Sequence, residues 1–321
     1  MFEELEEERN SELSQNVTKL LNVTADDRRY IFKHNNISPK GLQDIILSIE
    51  EWYEKQPHLP KGQLSRQMIV QHLILKAFKI EEVKDKIDNW MSAKHKMPEI
   101  LMNRDPFSPT IDKYLRFGFY ITMPKKTPLN HRLSFFRVKE PFEYDVLEVV
   151  KLCYMIVEYR ILNDAAQGEQ WIFDLANVTF HNSVQMTPTL LSKIVYYIRF
   201  CFGAKIKGLH FVNVPTFVAP IINILKKLMK PKVAKRIYLY QKFEELYELF
   251  PKNILPVEYG GYERSCDEIT DDWVATLQSD AWRKYFAEQD KVISDESKRT
   301  HFLSSDDFFG CNGSFRKLEV D

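Results

Sequence analysis

At 321 residues, with 44% hydrophobic and 28% charged positions, the chain is long enough to bury one large core or two moderate ones. Its 45 Lys+Arg balance 45 Asp+Glu, and 10 Gly with 15 Pro leave little room for disorder. No apolar run approaches the ~20 residues of a membrane helix, and the acidic start MFEELEEERN lacks the basic and apolar regions of a secretory signal, so a cytoplasmic protein is expected.

Residues 1–105 read as a helical domain. LQDIILSIEEWYEKQ sets Leu42, Ile45, Ile46, Ile49 and Tyr53 on one helical stripe. The stretch from Gln67 to Leu101 continues the pattern in at least two helices, and Pro57 and Pro60 break the first group. From Leu115 the pattern changes. LRFGFYITM, HRLSFFRV, EQWIFDLANV, IKGLHFVNV and KRIYLY are short and rich in aromatic and β-branched residues, as strands are. Helical patterns separate them: YDVLEVVKLCYMIVEYRIL, then TPTLLSKIVYYIRFCF, where Thr187 is the expected cap and Pro188 the first helical residue. A third helix follows Pro215 with Thr216 as its expected cap. Strands alternating with helices predict an α/β domain with a mixed sheet over 106–262. Beyond EYGG, an acidic helical stretch around DDWVATLQSDAWRKYF and an irregular end form a tail, 263–321.

Catalytic motifs are missing. The chain has no Gly-x-Ser-x-Gly elbow, phosphate-binding glycine loop, dinucleotide fingerprint, His-Glu-x-x-His or Cys-x-x-Cys pair. His210 and Asn213, with Asp174 ending another strand, read as satisfied structural hydrogen bonds rather than a catalytic set. His131 and His181 read as surface loop histidines. Cys153, Cys201, Cys266 and Cys311 are widely spaced and read as reduced thiols, not a disulfide framework or metal site. The expectation is a protein that is not an enzyme, with no catalytic residue, metal or cofactor.

One segment departs from the overall balance. FVAPIINILKKLMKPKVAKR, from Phe217 to Arg236, starts apolar and then sets Lys226, Lys227, Lys230, Lys232, Lys235 and Arg236 in eleven positions without an acid. Nucleic acid could use such cations, but Phe217, Ile221, Ile222, Leu225 and Leu228 form an apolar stripe and no aromatic residue interleaves the lysines. A nuclear-import patch is a weaker option. An anionic membrane surface would take a shallowly inserted apolar helix and attract each nearby cation by about 1 kcal/mol. The plain alternative is a core helix whose cationic end is solvated and favoured by the helix dipole. The 13% aromatic share is equally open, since it suits a large core or an apolar cavity.

WIFDL on a strand, TPTLLSKI opening a helix, IKGLHFVNVP on the next strand and ILPVEYGG at the close occur in that order over residues 171–261. Together they resemble the CRAL-TRIO lipid-binding family, in its tocopherol-transfer and retinaldehyde-binding branch. HLILKAFKIEEVKDKIDNW is similar to that family's N-terminal helical domain, with Ile74 and Lys76 where arginines are usual. The end FFGCNGSFRKLEVD is similar to the C-terminus of some members.

The resemblance implies a monomeric carrier that encloses one hydrophobic ligand (a tocopherol, retinoid, carotenoid, isoprenoid or sterol-like molecule) under a gate helix. It implies ligand contacts from Leu147, Val150 and Tyr154 on one helix and Ile194, Tyr197, Ile198 and Phe202 on another. Phe173, Ile206 and Leu209 would come from strands, and Phe217, Ile221, Ile222, Leu225 and Leu228 would form the gate. Ordinary core packing gives each of these positions the same periodicity. Lys205, Lys207, Lys232 and Arg236 match the branch's phosphoinositide-headgroup positions, which suits transient membrane association without nucleic acid. Glu258 stands where phosphatidylinositol-transferring relatives carry a lysine, which argues against that lipid as internal cargo. A lipid-sensing adaptor and, less favoured, a lipid-modifying enzyme remain alternatives on the same fold.

Overall fold

The computed structural model describes residues 12–14 and 16–300. Its first part is helical, and three of its apolar stripes are preceded by a capping side chain. The helices are α1 (Val17–Leu21), α2 (Ala25–His34), α3 (Pro39–Glu54), α4 (Arg66–Lys76), α5 (Ile80–Lys96), α6 (Pro98–Leu101) and α7 (Pro109–Phe117). Thr24 and Asp27 close a reciprocal capping box on α2, while Ser38 and Ser65 accept hydrogen bonds from the Gly41 and Met68 amides on α3 and α4. On α3 the stripe buries Leu42, Ile46, Ile49 and Tyr53. α4 is buried on every side from Met68 to Leu75, so it is a central helix rather than an amphipathic one.

The expected strand from Leu115 is shorter than the sequence suggests. Leu115, Arg116 and Phe117 complete α7, which buries Ile111, Tyr114 and Leu115, and Gly118 ends it at φ 73°, a left-handed cap that glycine adopts without strain. The strands are β1 (Tyr120–Thr122), β2 (His131–Arg137), β3 (Gly168–Asp174), β4 (Ile206–Val212) and β5 (Ile237–Tyr240). They form one mixed sheet in the order β1-β2-β3-β4-β5, with β1 antiparallel to β2 and the others parallel.

Helical crossovers connect the parallel strands. α8 (Val146–Asn163) joins β2 to β3. Between β3 and β4 run α9 (Phe180–Val184), α10 (Pro188–Tyr196) and a π-helical turn over Tyr197–Phe202. As expected, Thr187 accepts from the Leu190 amide and Pro188 opens α10. Between β4 and β5 lie α11 (Ala219–Leu228) and α12 (Pro231–Ala234). Thr216 is not the cap of α11. It begins a 3-10 turn, Thr216–Val218, and α11 starts after Val218 with Pro220 in its first turn. α13 (Cys266–Leu277) and α14 (Asp280–Gln289) follow the sheet, and α13 packs on α7, α1 and β1. Among the described residues no helix is long and apolar enough to cross a membrane. Cys153, Cys201 and Cys266 are free and buried; Cys311 and the C-terminal motif lie outside the described residues.

The two faces of the sheet differ. On one, Phe135 stacks on Tyr259 at 4.8 Å, and His210 bonds Tyr240 and Gln170, each at 3.0 Å. Gly208 allows the second contact, because a Cβ there would lie 2.2 Å from His210 Nε2. Asn213 donates to Asp174, as its structural reading required, and Tyr259 donates to the other carboxylate oxygen, both at 2.9 Å. His131 is not a surface residue: it begins β2 and is buried. Burial, with Lys207 and Arg236 nearby, pushes its pKa down to about 4. His181 does stand exposed, on α9, 4.0 Å from Glu143.

Candidate ligand cavity and basic cleft

The other face of the sheet carries the cavity. In a strand alternate side chains share a face, so Phe136 on β2, Phe173 on β3 and Phe211 on β4 project together. The register sets them directly opposite one another, with Tyr120 of β1 opposite Phe136. The helices of the crossovers form a roof over these rings, and the space between is a cavity of about 260 Å³. Its lining is almost wholly apolar. Arg137 and Asp174 touch it at the strand ends, but the Arg137 guanidinium donates to Asp267, and the Asp174 carboxylate accepts from Tyr259 and Asn213. Asn182 and Ser183 add a small polar spot on α9, where the Ser183 hydroxyl donates to the Phe180 carbonyl.

Eight of the ten residues named for the pocket border this space. Val150 and Tyr154 reach it from α8, Ile194, Tyr197, Ile198 and Phe202 from α10 and the π turn, and Phe173 and Leu209 from the strands. Leu147 and Ile206 pack in the core away from it. Ile206 pairs with Glu169 just ahead of a register shift in β4, at the start of the strand and beyond the rings that line the cavity. Of the residues expected at the gate, Ile221, Ile222 and Leu225 border the cavity on one side. Phe217 and Leu228 do not border the cavity; Phe217 packs against the core and meets Phe180 edge-on at 5.9 Å. Val218 and Met229, at either end of α11, border it instead. Tyr120, Phe136 and Phe211 were also missed, although period-two alternation in the strand motifs was the signal that could have found them.

The end of the cavity near Tyr120, Trp171 and Phe202 rests on buried charge. Arg132 Nη2 meets Asp164 at 2.5 Å, and Arg160 reaches Asp164 at 3.1 Å and Glu169 at 2.6 Å; all four side chains are buried to 1% exposure or less. Arg160 also donates to the Tyr120 hydroxyl, and Trp171 Nε1 donates to Glu169. Burial opposes ionisation of Asp164, but Arg132 and Arg160 together hold its carboxyl far below the usual carboxylate range. For Glu169 burial prevails over Arg160 and its pKa is raised.

The cations surround the opening of β4. Lys205 precedes the strand, Lys207 lies in it, and Arg236 donates to the Ile206 carbonyl. Lys232 is exposed on α12, four residues before Arg236. Burial and then Lys207 lower the Lys205 pKa. The helical region contributes Lys76 and Lys86, which the sequence reading left out of this group. Lys76 donates to the Gly203 carbonyl at 2.6 Å. Burial, then Lys86, pull its pKa down to about 8, with Lys205 and Lys230 acting in the same direction. Helical connection to the cavity wall also runs through His72, whose ring nitrogens contact the Met68 and Cys201 carbonyls at 2.9 and 3.2 Å. Glu258 lies apart from this group. Both its carboxylate oxygens accept from the Cys266 amide, at 2.7 and 2.9 Å, at the start of α13. Among the described residues, no cluster of histidine, cysteine or carboxylate side chains could hold a metal.

Comparison with known proteins relates two regions of the chain to known domains. Residues 115–261 match the CRAL/TRIO domain and residues 38–111 match a Pinta-like UBA domain. The chain is 25% identical over 252 residues to the human Alpha-tocopherol transfer protein-like, spanning 77% of this chain and 73% of that one. It is 29% identical over 137 residues to Clavesin-2 of Rattus norvegicus, spanning 42% and 41%. Among solved structures, Sfh5 matches with a TM-score of 0.41 and 14% identity over 74% of this chain and 88% of that one. With the mixed sheet, the helical crossovers and the domain match in agreement, residues 115–261 of the chain form a CRAL/TRIO domain.

Proposed function

We propose that the protein is a non-enzymatic carrier that encloses one small apolar molecule and exchanges it at an anionic membrane. The observation that carries this reading is the cavity of about 260 Å³ between the aromatic face of the sheet and α11, with hardly a polar group in its lining. That volume lies just below the ~300–1,000 Å³ of usual ligand pockets, which favours a single slender neutral cargo over a two-tailed phospholipid. Burying such a molecule removes apolar surface from water at about 25 cal/mol per Å².

In this reading the pocket contacts are the eight bordering residues named from the sequence, with Tyr120, Phe136 and Phe211. α11 is the gate, and its Ile221, Ile222 and Leu225 leave the cavity when it opens. Lys205, Lys207, Lys232 and Arg236 take a phosphoinositide headgroup, which relieves the like-charge crowding around Lys205. The working division is a helical domain over 1–105, the ligand domain over 106–262 and a tail over 263–321. The protein acts as a cytoplasmic monomer with transient membrane contact.

Native mass spectrometry of the purified protein, followed by organic extraction, tests the carrier reading. One bound apolar molecule per chain is expected, passing to vesicles that contain phosphoinositide. A protein that is isolated empty and takes up no apolar probe would end it.

A further inference from the structure

From the stacked rings on the cavity floor, we infer that the cargo is a flat, conjugated or aromatic molecule rather than a saturated one; this rests on the carrier reading. Tyr120, Phe136, Phe173 and Phe211 are consecutive cross-strand partners. Their centroids are 4.6, 4.5 and 4.6 Å apart, and the planes of the last three rings differ by only 8° and 9°. These separations match the ~4.8 Å between neighbouring strands. The rings therefore stack face to face along the inter-strand direction and stand upright on the sheet. All four border the cavity, so they present it with edges and not faces.

A ring edge is the positive end of the aromatic quadrupole, and a ring or polyene face is the negative end. A row of parallel edges is thus complementary to one extended π face lying across it. A saturated chain of equal length gains only dispersion from the same row. On the roof, Tyr154 and Tyr197 stack at 3.8 Å and 15°, which keeps the space slot-like between two sets of rigid rings. Rigid aromatic pairs cannot swell to admit a thick fused skeleton as a row of methionines could. The charged groups of the lining, Arg137 and Asp174 at the strand ends, are bonded to Asp267 and to Tyr259 and Asn213, so the cargo is neutral, and the small polar spot at Asn182 and Ser183 accommodates at most a small terminal group.

The test uses two probes of equal carbon number on the full chain: all-trans-retinol, a conjugated polyene alcohol, and phytol, a nearly saturated isoprenoid alcohol. Affinities are measured for wild type, Phe173→Leu, Phe136→Leu and the lining control Ile194→Val, with thermal unfolding recorded for each. Wild type is expected to bind retinol at least about tenfold more tightly than phytol. Each Phe→Leu change should shrink that ratio about two- to twelvefold, the worth of one edge-to-face pair, while Ile194→Val should leave the ratio where it was. Equal wild-type affinities, or a ratio untouched by both Phe→Leu changes, would overturn the inference while leaving the carrier reading intact. Failure of wild type to bind either probe would overturn both. The wild-type ratio needs no variant to fold.

Discussion

The cavity and the ion network at its end are neighbours, both buried, and built on opposite principles. In the network, Arg132, Arg160, Asp164 and Glu169 are fully enclosed and joined to one another, to the Trp171 indole and to backbone carbonyls. In the cavity, the walls are rings and aliphatic chains that make no directional demand on whatever lies between them. Charges buried without partners are prohibitively costly, so the network has to be complete and is therefore rigid. Apolar walls lose only dispersion where a space lies between them, so the cavity costs the fold far less than an unpaired buried charge would.

Three experiments break or sharpen that contrast. The largest effect is expected from Asp164→Ala, which leaves two buried guanidiniums with Glu169 as their remaining counter-charge. A loss of about 3–5 kcal/mol in urea unfolding is expected, and saturating apolar ligand should not abolish the deficit. A loss under about 1 kcal/mol would mean that the network relaxes to admit water.

Acid comes next. Burial depresses the pKa of His72 and of His210 to about 4, whereas an unfolded histidine titrates near 6.5. The unfolded chain therefore takes up these protons first. Stability contributed by the two neutral rings is fully present above pH ~6.5 and falls as pH drops towards ~4, by up to about 2.7 kcal/mol per pH unit for two protons. Chemical unfolding across this range should show that slope, with His131 acting in the same direction. A flat profile between pH 6.5 and 4.5 would contradict the burial of both rings.

The smallest effect belongs to the cavity wall. Phe173→Leu edits a side chain that already borders empty space, so a loss below about 1.5 kcal/mol is expected in the same unfolding assay. A loss approaching that of Asp164→Ala would show that the wall is as over-determined as the network.

Much of the fold was legible because its signals are local. Thr187-Pro188 marked the start of α10, and the strand motifs from HRLSFFRV onward are the strands β2 to β5. What misled were competing local signals. FGF after Leu115 looks like a strand, but the stripe of Ile111, Tyr114 and Leu115 keeps the segment helical until Gly118 ends it. Thr216 has the chemistry of a cap, yet Pro220 sets the helix start later. His131 precedes an apolar run and looked like a loop residue, because nothing local reveals that β3 and Lys207 cover it. Within the site, Tyr154, Ile194 and Ile198 came from the family resemblance and do border the cavity, while helix spacing alone left pocket and core alike. The ladder through Phe136 and Phe211 depends on register between distant strands, and Lys76 and Lys86 join the basic group only when the helical region docks beside Gly203.

The π turn has a consequence for chain length. An α-helix advances about 100° per residue, so positions five apart point about 140° away from each other. Tyr197 and Phe202 are five apart and nevertheless both border the cavity, because the turn closes with an i to i+5 bond, from the Gly203 amide to the Ile198 carbonyl. The wall thus contains one residue more than a regular helix would hold. Removing any single residue between Tyr197 and Phe202 would rewind the segment and swing one aromatic ring out of the lining. Relatives that lack this extra residue should have a differently shaped chamber, however similar the rest of their sequence.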